Sequence, residues 1–90
     1  MRYLVRIYHH RKSFSAMVPD LPGCVAAADS VEEVRDLIAE AIFLHVDMMR
    51  RSGETIPEPT SHFNFVNDDC EEDELITWVK SRKPKKVVHQ

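Results

Sequence analysis

One short segment of the chain, rich in proline and glycine, limits the possible folds more than any other. It contains two of the five prolines and one of the two glycines, and it reads Val18-Pro19-Asp20-Leu21-Pro22-Gly23-Cys24. Proline fixes φ at about −65° and glycine tolerates positive φ, so the segment predicts a tight turn between two extended runs. We expect Pro19, Asp20, Pro22 and Gly23 to have a structural role, with the Asp20 carboxylate accepting from backbone amides of the turn.

The residues on either side of this turn predict three strands. Side chains alternate with a period of two from Tyr3 to Tyr8, and again from Ser13 to Val18. Residues 9–12 are polar and would form the loop of a hairpin. After the turn, residues 24–28 form an apolar run that is too short for a helix and is bounded by polar residues, which indicates a third strand.

A single long helix follows the third strand. The Ser30 hydroxyl is placed to accept from the Glu33 amide, as in a capping box. Apolar residues then recur every three or four positions until Arg50-Arg51 and Gly53 supply the signals of a helix end. The predicted apolar stripe consists of Val34, Leu37, Ile38, Ala41, Ile42, His45, Met48 and Met49. The prolines of residues 56–59 keep the next segment extended.

The last element completes an α+β arrangement. Residues 75–79 are β-branched and aromatic and predict a final strand, with a short amphipathic helix as the alternative, whereas residues 60–74 predict irregular structure. The order β-β-β-α-β favours one long helix packed on one face of a small mixed sheet. A right-handed crossover would place the last strand beside the first and parallel to it. The other face, or a sheet edge, would remain for a partner.

Length and composition indicate one globular domain. The chain has 90 residues, of which 43% are hydrophobic and 30% charged. We divide it into an α+β domain of residues 1–82 and a basic, disordered tail of residues 83–90. A domain of this size buries only about 60–65% of its unfolded surface, which favours a homodimer or tetramer. No apolar run could span a bilayer and no secretory signal follows Met1, so we expect a cytoplasmic protein without a membrane partner.

Five segments of the first 60 residues occur together, in this order, in one known family. They are Tyr3-Leu4-Val5, Phe14–Cys24, Asp29–Val34, Ala41-Ile42 and Gly53–Pro59. Through them the chain resembles the HicB-like antitoxin family. The resemblance implies a degenerate ribonuclease-H-like fold and an antitoxin that blocks the active site of a small mRNA-cleaving toxin of the HicA type. Longer members carry a C-terminal DNA-binding domain, for which the eleven residues after Val79 are too few.

The implied fold raises the question of nuclease activity. Two-metal phosphodiester cleavage needs several carboxylates that converge on the ions. Residues 3–8 contain no acid, Asp20 lies in the proline turn, and Asp29 lies next to the start of the helix. We therefore expect no catalytic residue.

The histidines and cysteines do not predict a metal site or a cofactor. His9 and His10 are adjacent in the hairpin and would point to opposite faces, and His45 lies on the apolar stripe as a packed, hydrogen-bonded residue. The two cysteines form no Cys-x-x-Cys pair, so we expect free thiols. A zinc site would require the fold to bring together Cys24, His62 and Cys70, which are far apart in the sequence.

The net charge of −3 conceals two segments of opposite sign. Six acids in seven positions are candidate contacts to a basic toxin, namely Asp68, Asp69, Glu71, Glu72, Asp73 and Glu74. Five basic residues are candidate contacts to nucleic-acid phosphates, namely Lys80, Arg82, Lys83, Lys85 and Lys86. For each segment, a solvated loop or tail without a partner is the alternative.

The leading hypothesis is a non-catalytic antitoxin that neutralises a cognate ribonuclease toxin by occluding its active site. The alternative is a stand-alone oligomeric interaction module of the same fold without an active toxin partner. A degenerate nuclease comes third, because the carboxylates are poorly placed. DNA binding would be weak at most.

Overall fold

The computed structural model describes residues 2–59 and 74–84. In chain order, the elements are β1 (Arg2–His10), β2 (Ser13–Met17), β3 (Val25–Ala28), α1 (Val31–Arg51) and β4 (Glu74–Lys80). The four strands form one sheet in the order β3-β2-β1-β4, and all neighbours are antiparallel. The predicted α+β fold and its β-β-β-α-β order are confirmed, and residues 75–79 form a strand and not a helix.

The last strand lies beside the first, as predicted, but its predicted direction is wrong. Tyr3 pairs with Val79 and Tyr8 pairs with Glu74, so β4 is antiparallel to β1 and the sheet is not mixed. The Tyr3 hydroxyl donates to the Pro57 carbonyl oxygen at 2.7 Å, so the chain leaves α1 near the start of β1. Because β4 begins opposite the end of β1, the connection from Pro57 to Glu74 joins the two ends of β1. A strand that starts opposite the end of β1 runs antiparallel to it, whereas a direct helical crossover would start β4 beside the beginning of β1.

The first hairpin is tighter than the sequence predicts. His9 and His10 belong to β1, and only Arg11 and Lys12 connect it to β2. Arg11 has a φ of +58°, which permits so short a loop. The His9 ring stacks on Phe14, its cross-strand partner, with centroids 4.3 Å apart. The aromatic pair accounts for the extra strand residues, since cross-strand stacking stabilises a sheet.

The core lies between α1 and one face of the sheet. Tyr3, Val5 and Ile7 of β1 all face the helix and are fully or almost fully buried. Among the described residues, the buried cluster comprises Tyr3, Val5, Ile7, Ala16, Val18, Leu21, Cys24, Val34, Ile38, Ala39, Ile42, Val46 and Val79. Arg35 fastens the helix to β4 by donating to the Thr77 hydroxyl at 3.2 Å.

Both ends of α1 follow the predicted signals. The Ser30 hydroxyl accepts from the Glu33 amide at 3.1 Å. At the other end Gly53 has a φ of +77°, and its amide donates to the carbonyl oxygen of Arg50 while the Glu54 amide donates to that of Met49. This pair of bonds is a Schellman motif, which ends the helix. No helix in the described part of the chain has the length and hydropathy of a membrane span.

Candidate interaction surface

The proline turn is a double turn pinned by buried side chains. The Leu21 amide donates to the Val18 carbonyl oxygen, and the Cys24 amide donates to that of Leu21, each at 3.0 Å. The second turn has Pro22 and Gly23 at its centre, and Gly23 has a φ of +89°, as a type II turn requires. A bond from the Val18 amide to the Cys24 carbonyl oxygen, at 3.1 Å, closes both turns. This geometry explains why the segment needs its prolines and its glycine.

Asp20 lies near a buried tyrosine. Burial, followed by the negative charge of Asp20, raises the pKa of Tyr3 above its usual value. The Tyr3 hydroxyl is occupied as a donor to Pro57. Tyr3 therefore links the start of β1 to the segment that follows α1, with Asp20 of the turn nearby. The predicted bonds from the Asp20 carboxylate to turn amides stay a prediction.

The six candidate acids do not share one environment. Residues 68–73 lie outside the described part of the chain. Glu74 is not in an irregular loop but is the first residue of β4, and its carboxylate accepts from the Arg6 guanidinium. Its side chain is completely enclosed. Glu74 is therefore corrected from a surface contact to an internal ion pair.

The five candidate basic residues also separate. Lys80 ends β4 and is exposed, as is Lys83, whereas Lys85 and Lys86 lie outside the described residues. Arg82 is bound to α1 by three contacts. Its guanidinium reaches Asp36 at 3.3 Å and Glu40 at 3.0 Å, and its amide donates to the Ala39 carbonyl oxygen at 3.0 Å. Arg82 thus stabilises the junction between β4 and α1.

The described part of the chain contains no group of three or more His, Cys, Asp or Glu side chains that could hold a metal ion. Of the zinc candidates only Cys24 lies there. Cys24 is a free, buried thiol whose pKa burial raises to about 11, so it is mainly protonated at neutral pH. His62 and Cys70 lie outside the described residues.

An apolar groove runs between the proline turn and α1. It has a volume of about 280 Å³, and its lining residues are Gly23, Cys24, Val25, Ala41, Leu44, His45 and Met48. His45 lies against the turn, since a Cβ added to Gly23 would be 3.9 Å from its Cε1. Leu44 and Met48 are 54% and 53% exposed, although they line the groove. The lining contains no Asp, Glu, Lys or Arg, so this surface is suited to binding apolar groups.

The sequence pattern placed this part of α1 incorrectly. Leu37 and Met48 belong to the predicted buried stripe but are 39% and 53% exposed. The buried helix residues are Val34, Ile38, Ala39, Ile42 and Val46. The helix therefore carries a second apolar line, which is exposed. The sequence pattern, interpreted as one stripe, assigned residues of this line to the core.

A comparison with known protein families identifies the family of this chain. The profile described as "HicB_like antitoxin of bacterial toxin-antitoxin system" matches residues 3–88, which is nearly the whole chain. The chain belongs to the HicB-like antitoxin family. The sequence resemblance in the first 60 residues is thereby confirmed and extended.

Solved structures of HicB antitoxins share this fold. The chain superimposes on a component of the "HicA3 and HicB3 toxin-antitoxin complex" with a TM-score of 0.72 and 22% identity, covering 89% of this chain and 96% of that one. The "Antitoxin HicB3 crystal structure" gives the same TM-score and identity, covering 100% of this chain and 71% of that one. The N-terminal domain of Burkholderia pseudomallei antitoxin HicB gives 0.68 and 22%, covering 89% and 96%. At this identity the similarity is one of fold.

One curated relative comes from a phage. It is an "Uncharacterized 14.9 kDa protein in rep-hol intergenic region" of Haemophilus phage HP1 (strain HP1c1), and it is 29% identical over 79 residues. The match covers 88% of this chain and 59% of the relative. This HicB-like chain thus spans about three fifths of the length of the curated relative that it matches.

Proposed function

We propose that the chain is a non-catalytic antitoxin that binds a HicA-type mRNA-cleaving toxin and blocks its active site. The observation that carries this proposal is the family match over residues 3–88. The likeness to a component of a HicA3–HicB3 complex supports a fold that suits such binding. We further propose that the protein acts in the cytoplasm, where mRNA is cleaved, as a homodimer or higher oligomer and without a cofactor.

The absence of catalysis in this proposal is supported by what the carboxylates bind. Glu74 is enclosed with Arg6, and Asp47 pairs with Arg51 at 3.1 Å on the helix surface. Asp36 and Glu40 share Arg82. Catalytic carboxylates of a metal-dependent nuclease must be directed at ions. These four are directed at arginines.

The proposed toxin contact is electrostatic in part. A protein that cleaves mRNA must attract phosphates, and an acidic partner surface accelerates association with such a basic protein. We retain Asp68, Asp69, Glu71, Glu72 and Asp73 as candidate contacts. Glu74 is removed from this set, because its enclosed side chain is bound to Arg6.

The proposed division of the chain remains a domain of residues 1–82 and a tail of residues 83–90. It is supported by the bonds of Arg82 to α1, which continue the folded unit beyond β4. Lys83, Lys85 and Lys86 are the remaining tail candidates for phosphate contacts, and Lys80 could add to them from the end of β4. Such contacts would bind nucleic acid without reading its bases.

The test of neutralisation uses a HicA-type toxin, which is first sought in the neighbouring reading frame. The purified toxin is incubated with a labelled mRNA, and the full 90-residue chain is added in increasing amounts. Cleavage should stop near a stoichiometric ratio, and co-expression should restore growth. Cleavage that continues at a large excess of the chain would contradict the proposal. It would favour the alternative of a stand-alone interaction module.

The contribution of the acids is tested with two variants that change charge equally. Glu71→Gln/Glu72→Gln should slow association with the toxin and weaken its dependence on salt. Glu54→Gln/Glu58→Gln is the control, because both residues are exposed and lie outside the acidic segment. Equal association rates of the two variants at low salt would exclude a specific role of the acidic segment.

A further inference from the structure

Two cations lie side by side at one end of the sheet. Arg2, the first residue of β1, pairs directly with Lys80, the last residue of β4. Their neighbours Tyr3 and Val79 are buried on the side that faces α1, so both cations lie on the opposite side of the sheet. Directly opposed side chains have Cβ atoms about 5 Å apart, and like charges in such positions destabilise a sheet. We call these two residues the cation pair.

The cation pair is not neutralised by an acid in the described part of the chain. Both residues are exposed, and none of the ion pairs among the described residues includes them. On the same side of the sheet, the charge of Arg6 is balanced by Glu74, the residue at the other end of β4. The carboxylate of Asp20 acts on Tyr3, which faces α1. The cation pair can therefore bind an anion from outside the chain.

An aromatic residue adjoins the cation pair. Trp78 is the only tryptophan of the chain and lies two residues before Lys80 on β4. It is therefore on the same side of the sheet, about 7 Å from Lys80 along the strand. Trp78 is partly exposed, and it lies directly across from Leu4, which is only 4% exposed. A planar aromatic residue that solvent reaches thus lies next to two positive charges.

We propose that Arg2, Lys80 and Trp78 form a binding site for single-stranded nucleic acid. The cation pair would bind phosphate, and an unpaired base would stack on the indole. Phosphate contacts from Arg and Lys supply affinity, and stacking on an aromatic side chain binds any unpaired base. Bases stack in this way on the four-stranded sheet of RNA-recognition modules. A duplex would not bind in the same way, because its bases are already paired and stacked.

The surroundings of the site favour a nucleic acid over an anionic membrane. A surface that binds a membrane needs apolar side chains that enter the boundary of the acyl chains. Leu4 is buried, and the exposed apolar residues Met17 and Leu75 lie opposite Arg6 and Ile7, near the other end of β1. Such a site goes beyond the proposed function, because it lies in the folded domain and does not involve the tail.

The test uses the fluorescence of Trp78, which needs no label because the chain has no other tryptophan. The full 90-residue chain is titrated at about 50 mM salt with a uridine oligomer and with a deoxythymidine oligomer, each of about 12 nucleotides. A stacked base should quench the emission. Quenching by either single strand supports the site, and the comparison of the two shows whether the ribose contributes. A duplex of the same length and phosphatidylserine vesicles should not quench.

Two variants that lose equal charge separate this site from general electrostatic attraction. Arg2→Gln/Lys80→Gln should weaken binding at least about tenfold, and the slope of log K against log salt should fall by about 0.7 for each phosphate released. Arg11→Gln/Lys12→Gln is the control, because both residues are exposed in the hairpin loop. They are about 30 Å away along β1, beyond the Debye length, so this variant should bind nearly as the wild type does.

The contribution of stacking is measured with a labelled uridine oligomer by fluorescence anisotropy. Trp78→Ala should weaken binding about 5–100-fold, and Trp78→Phe should restore most of it, because phenylalanine retains an aromatic face. Circular dichroism checks that all variants remain folded. A folded Trp78→Ala chain that binds like the wild type would overturn the stacking contact.

Three other results would overturn the proposal. They are the absence of quenching by both single strands, equal quenching by the duplex or the vesicles, and equal losses of affinity in the two charge variants. Lys85→Gln/Lys86→Gln in the full chain should retain the quenching. A loss of quenching confined to that variant would assign the phosphate contact to the tail and overturn this site.

Neutralisation of the toxin is measured separately, on the wild type and on Arg2→Gln/Lys80→Gln. A wild type that neutralises the toxin but binds neither oligomer would overturn this site alone. A wild type that binds the oligomers through Arg2 and Lys80 but does not neutralise would overturn only the proposed function.

Discussion

The carboxylate of Glu74 accepts from the guanidinium of Arg6 across the β1–β4 pair, and its side chain is completely enclosed. This pair ties the first residue of β4 to the middle of β1. It also divides the acidic segment, since its last member is internal while the other five remain candidates for a partner.

Glu74→Gln is expected to destabilise the fold. The change removes the negative charge of an enclosed ion pair whose Arg6 side chain is 23% exposed, which costs about 1–3 kcal/mol. The free energy of unfolding is measured by urea denaturation. The control is Glu54→Gln, at an exposed position after α1, which should leave the free energy unchanged. Equal stability of the two variants would show that the pair contributes nothing.

Arg82→Ala is expected to loosen the junction of β4 and α1. The variant loses the contacts to Asp36 and Glu40, and the Arg82 side chain is 42% exposed, so the cost should be about 0.5–1 kcal/mol. Lys83→Ala is the control, because Lys83 is exposed. Urea denaturation of both variants should show a lower free energy of unfolding for Arg82→Ala than for Lys83→Ala.

The role of the tail in binding nucleic acid is tested by deleting residues 83–90, which retains Lys80 in β4 and the anchored Arg82. Loss of a gel shift on this deletion would support phosphate contacts from Lys83, Lys85 and Lys86. A shift that survives would contradict them.

Local signals in the sequence predicted their structures correctly. The Ser30 cap, the Gly53 helix end and the turn at Pro22-Gly23 each depend on backbone geometry within a few residues. Such geometry is set by which φ values and which nearby hydrogen bonds a residue type allows. For that reason the type and order of the elements in the described part of the chain could be predicted without the fold.

Non-local relationships could not be predicted in the same way. The direction of β4 depends on which end of β1 lies beside its first residue. No turn signal in the sequence between Pro57 and Glu74 specifies that end. The enclosure of Glu74 depends on Arg6, which is 68 residues away in sequence. The exposed apolar line of α1 was missed because Leu37 and Met48 fit a helical period, and the period does not state which of two apolar faces the sheet covers.

Gly23→Ala is expected to destabilise the double turn by about 1 kcal/mol, because a side chain is disfavoured at positive φ. The added Cβ would be 3.9 Å from His45, an ordinary contact, so the cost arises from the backbone and not from crowding. Gly23→Asn is the control, because asparagine tolerates this region better, and it should cost less. Thermal and urea denaturation compare the three chains. An alanine variant as stable as the wild type would contradict the requirement for positive φ.

The raised pKa of the buried Cys24 thiol predicts that the fold loses stability in alkaline solution. Burial raises its pKa from an ordinary 9.0 to about 11 in the folded chain. Between these values the unfolded chain releases the proton while the folded chain retains it, so stability is complete below pH 9 and falls as the pH rises towards 11. At pH 10 the loss amounts to about 1 kcal/mol, from the difference in proton binding of the two states.

The measurement is the free energy of unfolding by urea from pH 8 to pH 10.5, for the wild type and for Cys24→Ala. The variant is less stable at pH 8, because it leaves a small cavity in the core. It should nevertheless lose about 1 kcal/mol less between pH 8 and pH 10 than the wild type. Tyr3 is present in both chains, so its own raised pKa cancels in the comparison. Parallel stability curves for the two chains would contradict a protonated, buried Cys24 as the source of the alkaline loss.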